Sequence, residues 1–444
     1  MNEPTPLLRH VGRAGLRVLY LCHRVPYPPD KGEKIRAYHQ IRALSERHRV
    51  SVLALCDGPV PDLAPLAAMC ERVEVFPLSR PRSYLRAALG AWRPRPLSLS
   101  FFESQEMAER VRELARRERF DVAVVYCSSM APYAALAPEV PAVLDMVDVD
   151  SAKWAQYARF APLALRPVYA LEARRLRRYE ASLANRFQRV AFATGNETRL
   201  YKASAPAAKA VTLLNGVDVD FFQPLDLPKA SNPTLVFTGQ MDYFANVDGV
   251  THFAREVFPR LRQRFPEIEL LIVGRSPVAA VRDLGELPGV QVTGAVGDVR
   301  PFLARAWVFV APLRIAQGVQ NKVLEAIASS LPVVCTERVL AGLADGGFRS
   351  GRDLLAAATD EGMERAVAAL IADERERERL ADCARQRLLA TYRWAPNLDR
   401  FEELVGAVAR PPAGSPPLPV ESRRADAEED IPAPVAAARE ARRA

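Results

Sequence analysis

With 444 residues the chain is too long for one ordinary core, and domain sizes of ~100–200 residues predict two folded units with additional segments. A composition that is 49% hydrophobic, 26% charged and 8% aromatic is that of a globular protein with large cores, and it excludes wholesale disorder. The formal net charge of +8 comes from arginine, and because no nucleic-acid-binding motif accompanies it, no nucleic-acid partner is expected.

Apolar runs of strand length alternate with amphipathic helical stretches from Arg17 almost to Ala409, which predicts an α/β fold of parallel sheets with helical crossovers. Residues 1–16 read as an extension, without the cleavage site of an export signal, that leads into a first strand at 17–22. Further strands are expected at 49–55, 73–76, 121–126, 141–145, 189–194 and 210–215, with helices such as 33–47 and 103–119 between them. The first strand is followed by HRVPYPPDKGEKIRAYH (23–39), in which prolines and Gly32 precede a helix and Lys31 and Lys34 stand as either ligand contacts or ordinary surface lysines. LDMVDVDSAKW (144–154) closes another strand, which directs Asp148 and Asp150 to its carboxyl end. That Asp-x-Asp spacing recurs at Asp218 and Asp220 and is too common to mark a metal site by itself. Arg159, Arg166, Arg174, Arg175, Arg177, Arg178, Arg186 and Arg189 then fall in one mostly helical stretch, which suits either an anionic lipid surface or plain solvent.

NGVDVDFFQPLDLPKASNP, from Asn215, has turn signals and no helical period, and the boundary between the two units is placed there. A second series of strands is expected at 234–239, 268–274, 290–294, 307–312 and 331–336. Two such series facing one another leave a cleft at the carboxyl ends of both sheets, where ligands of open α/β sheets bind. FTGQMDYFANVDGV (237–250) ends a strand in Gly239 and enters a helix whose amino end suits an anion, with Gln240 and Asn246 beside it. In APLRIAQGVQNKVLEAIASSLPVV (311–334), Gly318 allows close backbone approach to a ligand, the following N–H groups offer an anion site, and Lys322 adds a full charge. The bland alternative is that Gly318 only starts a helix and Lys322 is solvated.

Neither half carries a GxGxxG after its first strand, which argues against a dinucleotide cofactor. Six dispersed cysteines without a CxxC pair and five histidines without ligand spacing predict no metal site and a reducing, cytoplasmic setting. No apolar stretch is long enough to span a bilayer, and the proline-rich segment 410–444 is expected to be disordered.

The 311–334 segment resembles the retaining GT-B glycosyltransferases of family four, and closely the sugar transferases associated with exopolysaccharide and exosortase gene systems; the resemblance covers about residues 17–409. It implies two Rossmann-like domains with parallel sheets facing across a cleft: an acceptor-side domain at 17–215, a linker at 216–233, a nucleotide-sugar-binding domain at 234–390, and a helix at 391–409 crossing back to the first domain. Glu325 matches the glutamate that holds the donor ribose. Gln317 stands eight positions earlier, where the family has a glutamate for the donor sugar's hydroxyls; an amide still hydrogen-bonds a hydroxyl but lacks the charge. Either the sugar is held differently or the subgroup tolerates a neutral contact, and Gly318, Val319, Gln320, Asn321 and Lys322 resemble the subgroup pattern. Gln240 and Asn246 replace the family's basic pyrophosphate contacts, so the missing charge is expected from Lys322 and Arg314. IVGRSP (272–277) and 292–312 resemble the base-side wall, with Gly274, Arg275, Val296 and Asp298 near the base. Lys31 and Gly32 fall in the family's glycine loop beneath the donor diphosphate, with Asp150 near the same cleft.

What this resemblance implies is sugar transfer with retention from a nucleotide-diphosphate donor to a hydroxyl of a lipid-linked or saccharide acceptor, in exopolysaccharide or other surface-glycan synthesis. No cofactor or metal is required, Lys322 stabilises the leaving diphosphate, and Asp148 holds the acceptor or assists its hydroxyl, with His23 and His39 as alternatives. An anionic membrane surface at the inner face of the inner membrane is a further candidate partner. Two rival readings are a non-hydrolysing nucleotide-sugar epimerase, told apart by its products, and a non-catalytic two-lobed sugar-binding protein.

Overall fold

The computed structural model describes residues 15–410; the expected N-terminal extension up to residue 14 and the expected disordered tail beyond 410 lie outside the described residues. The first lobe holds a seven-stranded parallel sheet made of β1 (Arg17–Cys22), β2 (Arg49–Cys56), β3 (Arg72–Pro77), β4 (Val122–Tyr126), β5 (Ala142–Val147), β6 (Arg189–Phe192) and β7 (Ala210–Thr212), in the order β3-β2-β1-β4-β5-β6-β7. The second lobe repeats the plan with β8 (Thr234–Thr238), β9 (Glu269–Val273), β10 (Val290–Gly294), β11 (Val308–Ala311), β12 (Val333–Thr336) and β13 (Leu355–Ala357), ordered β10-β9-β8-β11-β12-β13. These are two Rossmann-like parallel sheets. Strands such as β1 and β4 read as unbroken apolar runs because helices cover both faces and nearly every residue is buried.

Strand order reverses between β1 and β4 in one sheet and between β8 and β11 in the other. At such a switch point the crossover helices leave to opposite faces, opening a crevice at the carboxyl ends of the strands. The loops after β1, β8 and β11 lie at these switch points and that after β5 lies one strand from the first, and they carry the motifs noted above. All twelve expected strands are present; β13 was not expected, because three residues of Leu-Ala-Ala carry almost no strand signal.

The final helix, Trp394–Val408, returns to the first lobe and inserts Phe401 and Val405 into its core beside Ile41 and Val124. The crossing is pinned where Val217 N donates to Tyr392 O at 2.8 Å and Gly216 lies against Trp394, whose indole stacks on His39 with centroids 4.3 Å apart. Below the cleft, Arg36 and Asp145, 2% and 0% exposed, form a buried ion pair at 2.8 Å. Gln40 Nε2 donates to the same carboxylate at 2.6 Å, and Arg36 Nη1 donates to Leu213 O and Asn215 Oδ1. This network ties the helix Gly32–Arg47, β5 and the end of the first sheet into one base, with every polar atom of the Asp145 carboxylate bonded. Among the described residues no helix is long and apolar enough to cross a membrane.

Candidate active site

The second lobe's wall of the cleft begins with backbone. Gly239 (φ 154°) and Gly274 (φ 159°) end adjacent strands, Gly239 N donates to Val273 O at 3.0 Å, and a Cβ on Gly274 would collide with the Gly239 carbonyl. Glycine at both strand ends keeps this floor flat enough for a ligand to approach the backbone. Above Gly239 stand Asn246, from the helix Phe244–His252, and Lys322, from the helix Asn321–Ala328; a Cβ on Gly239 would sit 2.8 Å from Asn246 Nδ2 and 3.0 Å from Lys322 Nζ. Lys322 Nζ donates to Asn246 Oδ1, Asn246 Nδ2 donates to Gln240 O at 2.8 Å, and the ammonium lies 4.8 Å from the Phe237 ring centre. Neither helix has a side-chain cap at its amino end. Two helix amino ends and one lysine side chain therefore converge beside a glycine floor, an arrangement whose free N–H groups and amine suit an anion.

The loop after β11 crosses to the first lobe. Gly318 (φ 59°) packs so closely on Asp148 that a Cβ would clash with its carboxylate. Asp148 reaches this place because β5 ends in an irregularity, with Val147 at φ 65° turning the chain into the cleft. Gln317 Nε2 donates to Glu197 Oε1 at 2.6 Å, Gln156 Nε2 donates to Gln317 Oε1, and Gln320 Nε2 returns to Gln317 O at 3.0 Å. Val319 packs on the second-lobe core, Asn321 Oδ1 accepts from Asn215 Nδ2 at 3.4 Å, and Gly32 lies beside the Asn321 side chain. Further contacts between the lobes run from Arg275 Nη1 to Asp30 Oδ2 at 2.6 Å, from Tyr157 to Tyr243 through their hydroxyls at 2.9 Å, and from Gly195 N to Asp345 Oδ2 at 2.6 Å.

Burial in this crowded cleft penalises every charge. Lys322 is pulled down to about 7 by desolvation, with Glu325 opposing; Glu325 is pushed up to about 7 by the same burial, with Lys322 opposing. Desolvation lifts Asp148 to about 6, with Lys153 working against the rise and Asp150 with it. Glu197 rises to about 8 through burial and then Asp148, although the N–H groups of Val149 and Gln317 that point at its oxygens favour the carboxylate. Lys153 is lowered by burial but raised more by Asp150, Tyr243, Tyr157 and Asp148, so it stays a firm cation 3.4 Å from Asp150.

Several expected residues are committed elsewhere. Arg314 is held by Asp248 through two bonds of 2.9 and 2.5 Å and lies over Phe160, so its charge is already matched. With Arg275 paired to Asp30 as well, Lys322 is, among the described residues, the cation without a carboxylate partner beside Gly239. Asp298 is clamped by Arg300, and Val296 packs on the second-lobe core beside it. Lys31 sits just before the helix Gly32–Arg47, while Lys34 pairs with Asp30 at 3.4 Å. His39 is stacked in the tether rather than in the cleft. His23, at the end of β1, stacks on Tyr126 and is lowered to about 4 by burial, so its ring is neutral at ordinary pH. Asp218 caps the linker turn by accepting from Phe221 N at 2.9 Å.

Glu197 and Lys153 are cleft residues the sequence reading missed. Thr194 caps the helix Gly195–Ser204, and its side chain accepts from Glu197 N, so the Thr-x-x-Glu spacing at a strand end was the available signal.

Comparison with known proteins bears on the family and the fold. Residues 31–216 match the family model described as a glycosyl transferase 4-like domain, and residues 232–373 match that of glycosyl transferases group 1. A phosphatidyl-myo-inositol mannosyltransferase of Mycolicibacterium smegmatis is 30% identical over 215 residues, 46% of this chain; the match spans about half, 53%, of that relative. Among solved structures, sucrose-phosphate synthase from Thermosynechococcus elongatus superposes with a TM-score of 0.67 at 14% identity over 88% of this chain and 98% of its own. HepE of Anabaena, solved with UDP and glucose, gives 0.61 at 14% identity over 88% and 100%. With a glycosyl transferase 4-like domain in its first lobe and a group 1 domain in its second, the chain is a glycosyltransferase of the GT-B fold.

Proposed function

We propose that the chain moves a sugar from a nucleotide-diphosphate donor to an acceptor hydroxyl with retention of configuration, in the assembly of exopolysaccharide or another surface glycan, on the cytoplasmic side of the membrane. The observation that carries the reading is the convergence of Lys322 Nζ and two uncapped helix amino ends on the Gly239 floor. In this reading the diphosphate lies there, the ribose meets Glu325, the base lies along Gly274, Arg275 and Val296, and the sugar turns toward Gln317 and Asp148. The acceptor oxygen forms the new bond to the anomeric carbon on the face from which the diphosphate leaves, and the acceptor proton passes to the departing phosphate oxygen. Lys322 and the helix amino ends stabilise the charge that develops there, without metal or cofactor, and alignment supplies the rest.

Gln317 takes the place of a charged contact to the sugar and is oriented by Glu197 from the opposite lobe. Asp148 holds the acceptor hydroxyl. Uridine diphosphate sugars are the first donors to test, because HepE is solved with UDP-glucose. A panel of nucleotide sugars is screened for thermal stabilisation, and the best binder is tested for nucleotide release with lipid-linked and saccharide acceptors. Acceptor-dependent release supports transfer; stabilisation without release under any acceptor refutes it.

A further inference from the structure

The first lobe contains a second concavity, separate from the donor cleft, of about 670 Å³. Its wall includes Arg86, Arg93, Arg95 and Arg112 together with Phe102 and Tyr133. Arg95 pairs with Glu103 at 3.2 Å, but among the described residues Arg86, Arg93 and Arg112 have no carboxylate partner. Arg86 donates only to Ser83 Oγ, and its Nε is buried without a partner. Three unmatched guanidinium groups around one cavity are suited to an anion with several oxygens, above all a phosphate.

Apolar side chains stand at the mouth. Leu89 lines the cavity and is 68% exposed, Trp92 three residues on is 94% exposed, and Tyr84 on the same helix, Arg80–Leu89, is 66% exposed. The arginine-rich helix Arg166–Leu183 touches this segment where Arg175 Nη2 donates to Ala91 O at 2.6 Å, and its Val168 and Leu171 are exposed. Solvent-facing tryptophan and leucine interleaved with arginine is the pattern of a protein face seated in a membrane interface. The cavity also adjoins the donor cleft. Phe102 lies edge-on to His23 with centroids 5.5 Å apart, and Ser128, next to the lining residue Ser129, donates to Asp150 at 3.2 Å.

We propose that this cavity binds the phosphate-bearing head of a lipid acceptor, with Tyr84, Leu89 and Trp92 seated in the apolar edge of the membrane that holds the lipid. The inference rests on the transfer reading above and names its acceptor class. An acceptor so placed has its phosphate on the arginines, its tail in the bilayer and its hydroxyl directed past Ser128 and Asp150 toward Asp148 in the cleft.

Sedimentation with vesicles of phosphatidylcholine containing phosphatidylglycerol, against pure phosphatidylcholine, tests it on the full chain. The wild type binds the anionic vesicles, and Arg93→Ser with Arg112→Ser weakens binding about twenty-five-fold, at about fivefold for each surface arginine. Trp92→Ser weakens it severalfold, and in all variants the stabilisation by a nucleotide sugar is unchanged. Absence of vesicle binding, equal binding to pure phosphatidylcholine, or variants that bind like wild type overturns the proposal. Binding of free pyrophosphate at these arginines without vesicle binding also overturns the lipid source. If vesicles bind but no nucleotide sugar stabilises the protein, it is the transfer reading that fails.

Discussion

Donor binding should take up a proton above neutral pH, and the size of that uptake follows from Lys322. In the empty cleft the ammonium is lowered to about 7, with Glu325 three residues on along its own helix, and with uncharged Asn246 and Phe237 facing it from the second lobe. At pH 8 about nine in ten free molecules then carry neutral Lys322, and binding a diphosphate that restores the charge takes up about 0.9 proton. Each pH unit above 7 costs ~1.36 kcal/mol of donor affinity, about tenfold in Kd, until the pKa of the bound state is reached. Glu325, raised to about 7, works in the opposite sense below neutrality, where ribose hydroxyls donating to it favour ionisation and release a proton. Calorimetric titration with a nucleotide sugar, whose diphosphate does not itself titrate near 7, in two buffers of different ionisation enthalpy reads the proton count. Uptake at pH 8, release at pH 6, and loss of the uptake in Lys322→Met are expected. Identical heats in both buffers at pH 8 would refute the reasoning.

Gly318→Ala forces a side chain into left-handed backbone at a cost of about 1–2 kcal/mol and against Asp148, so the lobes close imperfectly. Turnover should fall about tenfold to a hundredfold with donor binding retained, as comparison of kcat with donor Kd will show. Arg36→Met leaves Asp145 buried and unpaired and should cost about 3–5 kcal/mol in urea unfolding, whereas Arg36→Met with Asp145→Leu should recover much of that loss. Glu197, raised from 4.5 to about 8, stabilises the fold fully below pH 4.5 and loses that contribution as pH rises through 8. Melting temperatures of Glu197→Gln should therefore decline less than those of the wild type between pH 5 and 8; parallel profiles would show that this carboxyl is ionised throughout.

The strands were legible because parallel sheets buried on both faces leave unbroken apolar runs, and the cleft-facing positions followed from the loops at strand ends: Gly239, Asp148 and Gly318 are all such residues. What the sequence concealed are pairings between distant segments. Glu197 and Gln317 meet across 120 positions, and Arg275 meets Asp30 across 245. No local periodicity records either contact. Arg314 illustrates the same gap, since its place in the motif suggested a phosphate contact while Asp248, on a helix 66 residues earlier, neutralises it. His39 lies in the loop-and-helix segment assigned to the cleft, yet it faces Trp394, near the chain's far end. Short elements such as β13 are formed by their neighbours rather than by their own propensity.

The most direct test of the central claim is a crystal structure with a nucleoside diphosphate bound. The account predicts phosphate oxygens within hydrogen-bond distance of Lys322 Nζ and of the first N–H groups of the helix Asn321–Ala328, over Gly239, with the ribose at Glu325. A diphosphate bound away from that helix end, with Lys322 still donating only to Asn246, would contradict it.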